Sequence, residues 1–271
     1  METTAVSITA KDVMALRKKT GLGMMDCKKA LAESNGDMDA AAEWLRRTLK
    51  GKMAQRTDRV TGEGLIGIAV DGPNAAIVEI RTETDFTARN KEFVAMVGEV
   101  VKLALSQSAG EVRASEEITG RIDEIRIKTG ENVKFARGQK LEGGRFGTYL
   151  HHDGKRAAVI QVEGEADEKL LTGICQHIVA HDPAPIGISE ADVPAQDIQR
   201  VRAEALKEAE ASGKPAEIVT KIADGKVRKY LQEKTLLDQM YVRDTSGKTP
   251  VRKVLGAGVS IKRFVRYTVG A

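Results

Sequence analysis

Few side chains in this sequence stand at spacings that catalysis uses. His177 and His181 are four residues apart, as helical metal ligands can be, but Ile178-Val179-Ala180 lies between them. The glutamate of a zinc-protease helix is missing and no third ligand offers itself, so no metal is expected. Cys27 precedes Lys28, a neighbour that favours the thiolate, although a buried inert thiol fits a lone cysteine better. There is no phosphate loop, no nucleophile elbow and no pair of carboxylates set for acid–base work. Gly62, Gly64 and Gly67 precede a strand at the wrong spacing for a dinucleotide site. None of these patterns marks a catalytic site, and no cofactor is expected.

Two stretches are informative for binding. Lys18-Lys19-Thr20-Gly21-Leu22-Gly23-Met24-Met25-Asp26-Cys27-Lys28-Lys29-Ala30-Leu31 sets two methionines among lysines. Methionine suits an adaptable apolar surface. Adjacent residues cannot share one helix face, so at least one of Met24 and Met25 is expected in a core. Thr84-Asp85-Phe86 sets an aromatic ring beside a carboxylate where a strand gives way to a helix. Phe86 precedes Phe93 by seven residues, the same helical stripe, and by spacing alone it is a core residue.

These stretches need elements to hold them. A chain of 271 residues is long enough for two or three domains. With 41% hydrophobic and 30% charged residues it has the composition of a globular protein, and no apolar run is long enough to span a membrane. Residues 1–10 show no basic segment followed by an apolar one, so no secretory signal is expected. Two distant cysteines exclude a disulfide framework and fit a reducing cytoplasm. A net charge of +4, spread over both signs, suits an acidic protein partner about as well as nucleic acid.

Thr9 is a candidate N-cap for a helix ending at Thr20-Gly21. A second helix runs from about Met24 to Ser34, and Asp37 caps a third carrying Met38, Ala41, Ala42, Leu45 and Leu49 at helical spacing. A hairpin follows, Leu65 to Val70 and Ala76 to Thr82 around Asp71-Gly72-Pro73-Asn74. Then come a helix with Phe93, Val97, Val100, Val101 and Ala104, and another with Ile118, Ile122 and Ile125. The pattern returns as a hairpin around Asp153-Gly154 and a helix with Leu170, Leu171, Ile174 and Ile178, an echo too faint to be a sequence repeat. Two charged helices joined at Gly213-Lys214, with Pro215 at the first helical position, predict an antiparallel hairpin in which Ile198, Val201, Ala205 and Ala209 face Ile218, Ile222 and Val227. A short helix after Pro250 and an alternating strand from Ile261 to Val269 close the chain.

The opening Leu16-Arg17, Thr20-Gly21 and Gly23 to Leu31, together with Thr84-Asp85-Phe86, Gln176-His177-Ile178-Val179-Ala180 and Ser212-Gly213-Lys214-Pro215, resemble the elongation factor Ts family in that order over nearly the whole chain. The resemblance implies an α+β fold. Residues 1–50 would form a three-helix ubiquitin-associated-like bundle, followed by a basic linker at 51–62. Two similar α+β subdomains, each a β-hairpin plus helices, would occupy 63–142 and 143–194, the second completed by 235–271. An antiparallel helical hairpin at 195–234 would be inserted, a candidate coiled-coil dimerisation element.

The resemblance further implies a guanine-nucleotide exchange factor whose partner is elongation factor Tu, GDP-bound and nucleotide-free. Thr84, Asp85, Phe86 and Thr87 would disturb the partner's magnesium and phosphate site, with Phe86 as a wedge. Arg17, Met24, Met25 and Lys28 would make a second contact, and His177 a third. Thr87 stands where some relatives carry an apolar residue, and Glu83 adds a carboxylate nearby. The chain ends just after its last strand, where some relatives continue into a helical module that adds a contact. No membrane and no stable nucleic acid enter this reading. The rival is a ribosome- or RNA-binding protein, on the strength of Arg252, Lys253, Lys262, Arg263 and Arg266 with no acid in 251–271. A ubiquitin-type adaptor would leave both α+β halves unexplained.

Overall fold

Capping chemistry sets the first three helices. In the computed structural model, which describes residues 7–213 and 215–271, helix α1 (Ala10–Thr20) opens on a reciprocal box between Thr9 and Asp12 and closes at Gly21, whose φ of 73° suits glycine. Helix α2 (Met24–Glu33) follows, and α3 (Met38–Ala54) begins at Asp37, whose carboxylate accepts from the amides of Asp39 and Ala40. Leu16, Cys27, Leu31 and Leu45 fill the small core. The first six residues, on which the reading of a leader rests, lie outside the described residues.

The expected linker departs from a hinge. Its first residues, 51–54, are the last turn of α3, and Met53 is buried. The rest is tied down by side chains: Arg56 Nη1 donates to the Gly130 carbonyl at 2.6 Å, and Asn132 Nδ2 donates to the carbonyls of Thr57 and Arg59 at 2.9 Å each.

Beyond it stand two antiparallel sheets. The first contains β1 (Glu63–Asp71), β2 (Asn74–Thr82), β3 (Gly110–Glu111) and β4 (Val133–Glu142) in the order β1-β2-β4-β3. The second has β5 (Arg145–Leu150), β6 (Arg156–Glu163) and β7 (Ser260–Thr268) in chain order. Between β2 and β3 lie a single turn, α4 (Asp85–Ala88), and α5 (Lys91–Leu105), and α6 (Glu116–Thr129) precedes β4. Helix α7 (Glu168–Ala180) follows β6. Ala76, Val78 and Ile80 of β2 pack under α5 and α6, while Ala158, Ile160 and Val162 of β6 pack under α7. The opposite faces meet: Ala75 and Ile77 lie in one cluster with Ala157 and Val159. The layers therefore run helix, sheet, sheet, helix.

The register makes the echo between the halves explicit. Ala75-Ala76-Ile77-Val78-Glu79-Ile80 and Ala157-Ala158-Val159-Ile160-Gln161-Val162 are the two central strands, buried on both faces and therefore apolar at successive positions. Both ladders shift register at the same place, between Glu79 and Ile80 and between Gln161 and Val162. Gly67 and Gly147 lie where a Cβ would run into Val97 of α5 and Leu171 of α7, at 2.9 and 2.6 Å. Each half thus omits a side chain to seat its helix. The two equivalent polar residues reach across to the other sheet. Glu79 accepts from Arg137 Nε of its own sheet at 2.7 Å and from the amide of Gly270, just past β7 of the other sheet, at 3.0 Å, while Gln161 Nε2 donates to the carbonyls of Glu142 and Gly143.

Helices α8 (Ala195–Ala211) and α9 (Ala216–Lys234) form the antiparallel hairpin. Its seam uses Ala205, Ala209, Val219 and Ala223; Ile218 is exposed, one position out of the expected register. Pro215 is the capping residue before α9 rather than its first helical residue, and Lys214 lies outside the described residues. Helix α10 (Val251–Leu255) packs Val251 and Leu255 against the α7 core.

Glu79 is buried between the sheets, so Glu79→Ala would remove the acceptor of Arg137 Nε and of the Gly270 amide, leaving Arg137 only its bond to the Thr268 carbonyl. The expected loss is about 3 kcal/mol of unfolding free energy, read by urea denaturation. Glu217→Ala, which breaks an exposed pair with Lys221, is expected to cost under about 0.5 kcal/mol.

Candidate functional site

Two caps in close succession decide where Phe86 points. Thr84 caps α4, its hydroxyl accepting from the Thr87 amide at 3.3 Å, and Asn90 caps α5, accepting from the Glu92 amide at 2.9 Å. The helix is therefore interrupted between Ala88 and Lys91, and the seven-residue spacing to Phe93 does not place Phe86 on the same stripe. Phe93 is fully buried and Phe86 is 83% exposed. Thr87 and Ala88 root the turn in the protein and lift Asp85 and Phe86 away from it. Thr87, expected among the partner contacts, is buried, and its amide donates to the Thr84 hydroxyl. Asp85 pairs with Arg89 at 3.3 Å.

Phe86 is the only exposed aromatic side chain among the described residues. A phenylalanine left in water forgoes roughly 1.5–3 kcal/mol of burial, and such a residue on an anchored turn has the character of an interface anchor.

The turn is held from behind by a carboxylate. Glu131 Oε1 accepts from the Thr84 hydroxyl at 2.6 Å, and Oε2 accepts from the Thr82 hydroxyl at 2.9 Å and the Thr84 amide at 3.1 Å. Burial opposes its charge, but hydrogen bonds from Thr84, Thr82 and Thr87 outweigh that and hold the carboxyl below the usual range. Sequence reasoning missed this residue. The only trace was the two threonines flanking Glu83, whose common acceptor lies 47 residues downstream of Thr84.

On the bundle, Arg17, Met24, Met25 and Lys28 are all exposed, and Met14 adds another exposed methionine on α1. Neither Met24 nor Met25 enters the core as expected, because Cys27, Ala30 and Leu31 supply the buried face of α2. Cys27 is buried with its thiol toward the Leu22 carbonyl, consistent with an inert role. A groove joins this region to Phe86. It is lined by Gly21 at the end of α1, Phe86 and Thr87, and Lys128 and Glu92, which pair across it at 3.1 Å.

His177 is not a surface contact. It is fully buried, its Nε2–H donates to Gln239 Oε1 at 3.0 Å, and its Nδ1 accepts from the Val242 amide at 3.2 Å. Gln239 has its amide group engaged by the carbonyls of Pro183 and Glu233, which fixes its oxygen toward the histidine. Both ring nitrogens are thus committed to holding the 239–242 segment, and the ring offers no exposed surface for the third contact expected there. The basic residues near the C-terminus are also largely engaged: Arg252 with Asp238, Lys262 with Glu163, and Arg266 with the Ile178 carbonyl. No described helix is long and apolar enough to cross a membrane.

Burial pushes the His177 pKa down to about 4, with Gln239 opposing and His181 adding to the shift. Above its ordinary value near 6.5 the ring is neutral in both folded and unfolded chains. As pH falls below that, only the unfolded chain takes up the proton, so stability is lost until about pH 4. Between these limits the protein is expected to lose up to about 3 kcal/mol more than His177→Gln, measured by denaturation across pH.

A family model described as Elongation factor TS matches residues 83–271, and one described as Elongation factor Ts, mitochondrial, N-terminal matches residues 2–52. The chain is 40% identical to the elongation factor Ts of Thioalkalivibrio sulfidiphilus, over 98% of this chain and 93% of that one. It is 38% identical to those of Sphingopyxis alaskensis and Pediococcus pentosaceus, in each case over 97% of this chain and 92% of the relative.

Proposed function

The chain belongs to the elongation factor Ts family and is a translation elongation factor, and from that premise we propose that it is a guanine-nucleotide exchange factor for elongation factor Tu, acting in the cytoplasm. It does no covalent chemistry. It binds the GDP form of its partner, disturbs the magnesium and phosphate site and promotes GDP release so that GTP can bind.

The observation that carries this reading is Phe86, exposed beside Asp85 on a turn whose other residues are buried. Inserted between elements of the partner, the ring would act as a wedge. Magnesium neutralises phosphate charge, so displacing the groups around it weakens GDP binding. By linkage, whatever factor favours the nucleotide-free partner must weaken GDP in the complex equally. A coupling of about 1–3 kcal/mol gives only about 5–150-fold, so a second contact is needed. Arg17, Met24, Met25 and Lys28 supply it on the bundle, with methionines as adaptable apolar surface and the basic groups facing acidic residues. The helical hairpin, with Ile218 exposed on α9, is the element through which a second copy would pair.

The test is release of a fluorescent GDP analogue from elongation factor Tu in excess unlabelled GDP. Substoichiometric amounts of this protein are expected to accelerate release. Phe86→Ala should keep the fold and much of the binding while losing most of the acceleration. Equal rates for Phe86→Ala and the parent would contradict the wedge assignment, and no acceleration by the parent would contradict the exchange reading.

A further inference from the structure

The three residues 130–132 are bonded to both regions that the exchange reading assigns to the partner. Gly130 ends α6 in the left-handed conformation, φ 72°, and its carbonyl accepts from Arg56. Glu131 accepts from Thr82 and Thr84, which lie immediately before α4. Asn132 is 2% exposed and every polar group on its side chain is used. Its Nδ2 donates to the carbonyls of Thr57 and Arg59, and its Oδ1 accepts from Arg126. Its backbone amide donates to Glu83, which also pairs with Arg59. On one side, then, the segment holds the connection to the methionine-bearing bundle; on the other, it holds the turn that carries Phe86.

We propose that Glu131 and Asn132 are positioning residues for nucleotide exchange, joining the bundle contact to the Phe86 contact without touching the partner themselves. The proposal rests on the exchange reading. Its physical content is preorganisation. A ring offered on a turn that must order itself on binding spends interaction energy on ordering, and two contacts on a loose connection act less as one. Glu131 serves the turn, because three hydrogen bonds converge on its carboxylate from Thr82 and Thr84. Asn132 serves the connection, because its amide group bridges two linker carbonyls.

This division predicts two different kinetic losses. Glu131→Ala leaves the bundle contact alone and releases the turn. The maximal rate of GDP release should fall about tenfold, as expected from loss of hydrogen bonds to a charged acceptor, with little change in the half-saturating concentration. Asn132→Ala loosens the bundle, so the half-saturating concentration should rise about tenfold while the maximal rate is largely kept. Thr82→Val, isosteric and suited to the end of a strand, removes one of the three bonds and should give a smaller loss of maximal rate. It keeps the test open should Glu131→Ala fail to fold.

In a Phe86→Ala background, Glu131→Ala should cost nothing further, because a residue acting through Phe86 has nothing left to position. Folded Glu131→Ala or Thr82→Val proteins that match the parent's rate would overturn the proposal. So would a Glu131→Ala loss fully additive to that of Phe86→Ala, or identical kinetic signatures for Glu131→Ala and Asn132→Ala. A parent protein that accelerates release while these variants behave like it would defeat the positioning role alone. A parent with no effect on release would defeat the exchange reading and this proposal together.

Discussion

The convergence of Thr82, Thr84 and the Thr84 amide on the Glu131 carboxylate is the constraint on which the exposed turn depends. A one-turn helix such as α4 gains almost nothing from its own hydrogen bonds, since nucleating a helix fixes more backbone than it rewards. Here the cost is offset from outside. A charged acceptor satisfies the cap residue and the end of β2 at once, and the burial of Thr87 and Ala88 anchors the far side of the turn. What is left facing water is Asp85 and Phe86. Exposure of the ring is therefore an outcome of how its neighbours are bonded, not of weak packing.

The sheets supply a rigid base for this arrangement. Each has a doubly buried central strand, each leaves out a side chain at a glycine to seat a helix, and each sends one polar residue across to the other. Glu79 and Gln161 occupy equivalent positions yet differ in chemistry. The carboxylate binds a guanidinium and the terminal turn, while the amide donates to two carbonyls. A repeated plan with complementary polar residues joins the two halves in register. Because β2 runs directly from this interface into Thr82, the geometry of the sheet pair is passed to the turn.

Much of this was legible in the sequence. The caps at Thr9 and Asp37, the stop at Gly21, both hairpins and the helical stripes follow from local rules, and the order of motifs pointed to the family. Elsewhere local rules were not enough. Strand β4 escaped notice because Lys134, Arg137 and Lys140 dilute its apolar alternation and Gly138 interrupts it. The order of elements already showed the echo between the halves, but its residue-by-residue correspondence emerged only when pairing aligned Glu79 with Gln161. Phe86 could be assigned to the core by periodicity because nothing in the spacing reveals that Thr84 and Asn90 cap two separate helices. His177 looked available and proved buried, since its partner Gln239 lies 62 residues away. Glu131 was invisible for the same reason: its role exists only through contacts distant in sequence.

The bonds to Glu131 order the turn bearing Phe86 before any partner arrives. The direct test is amide hydrogen exchange over residues 82–90 in the free protein and after addition of elongation factor Tu. The Thr84 and Thr87 amides, bonded to Glu131 and to the Thr84 hydroxyl, are expected to be already protected in the free protein and to change little on binding. Rapid exchange at both amides in the free protein, with protection gained only in the complex, would show a turn shaped by its partner and would contradict this ordering.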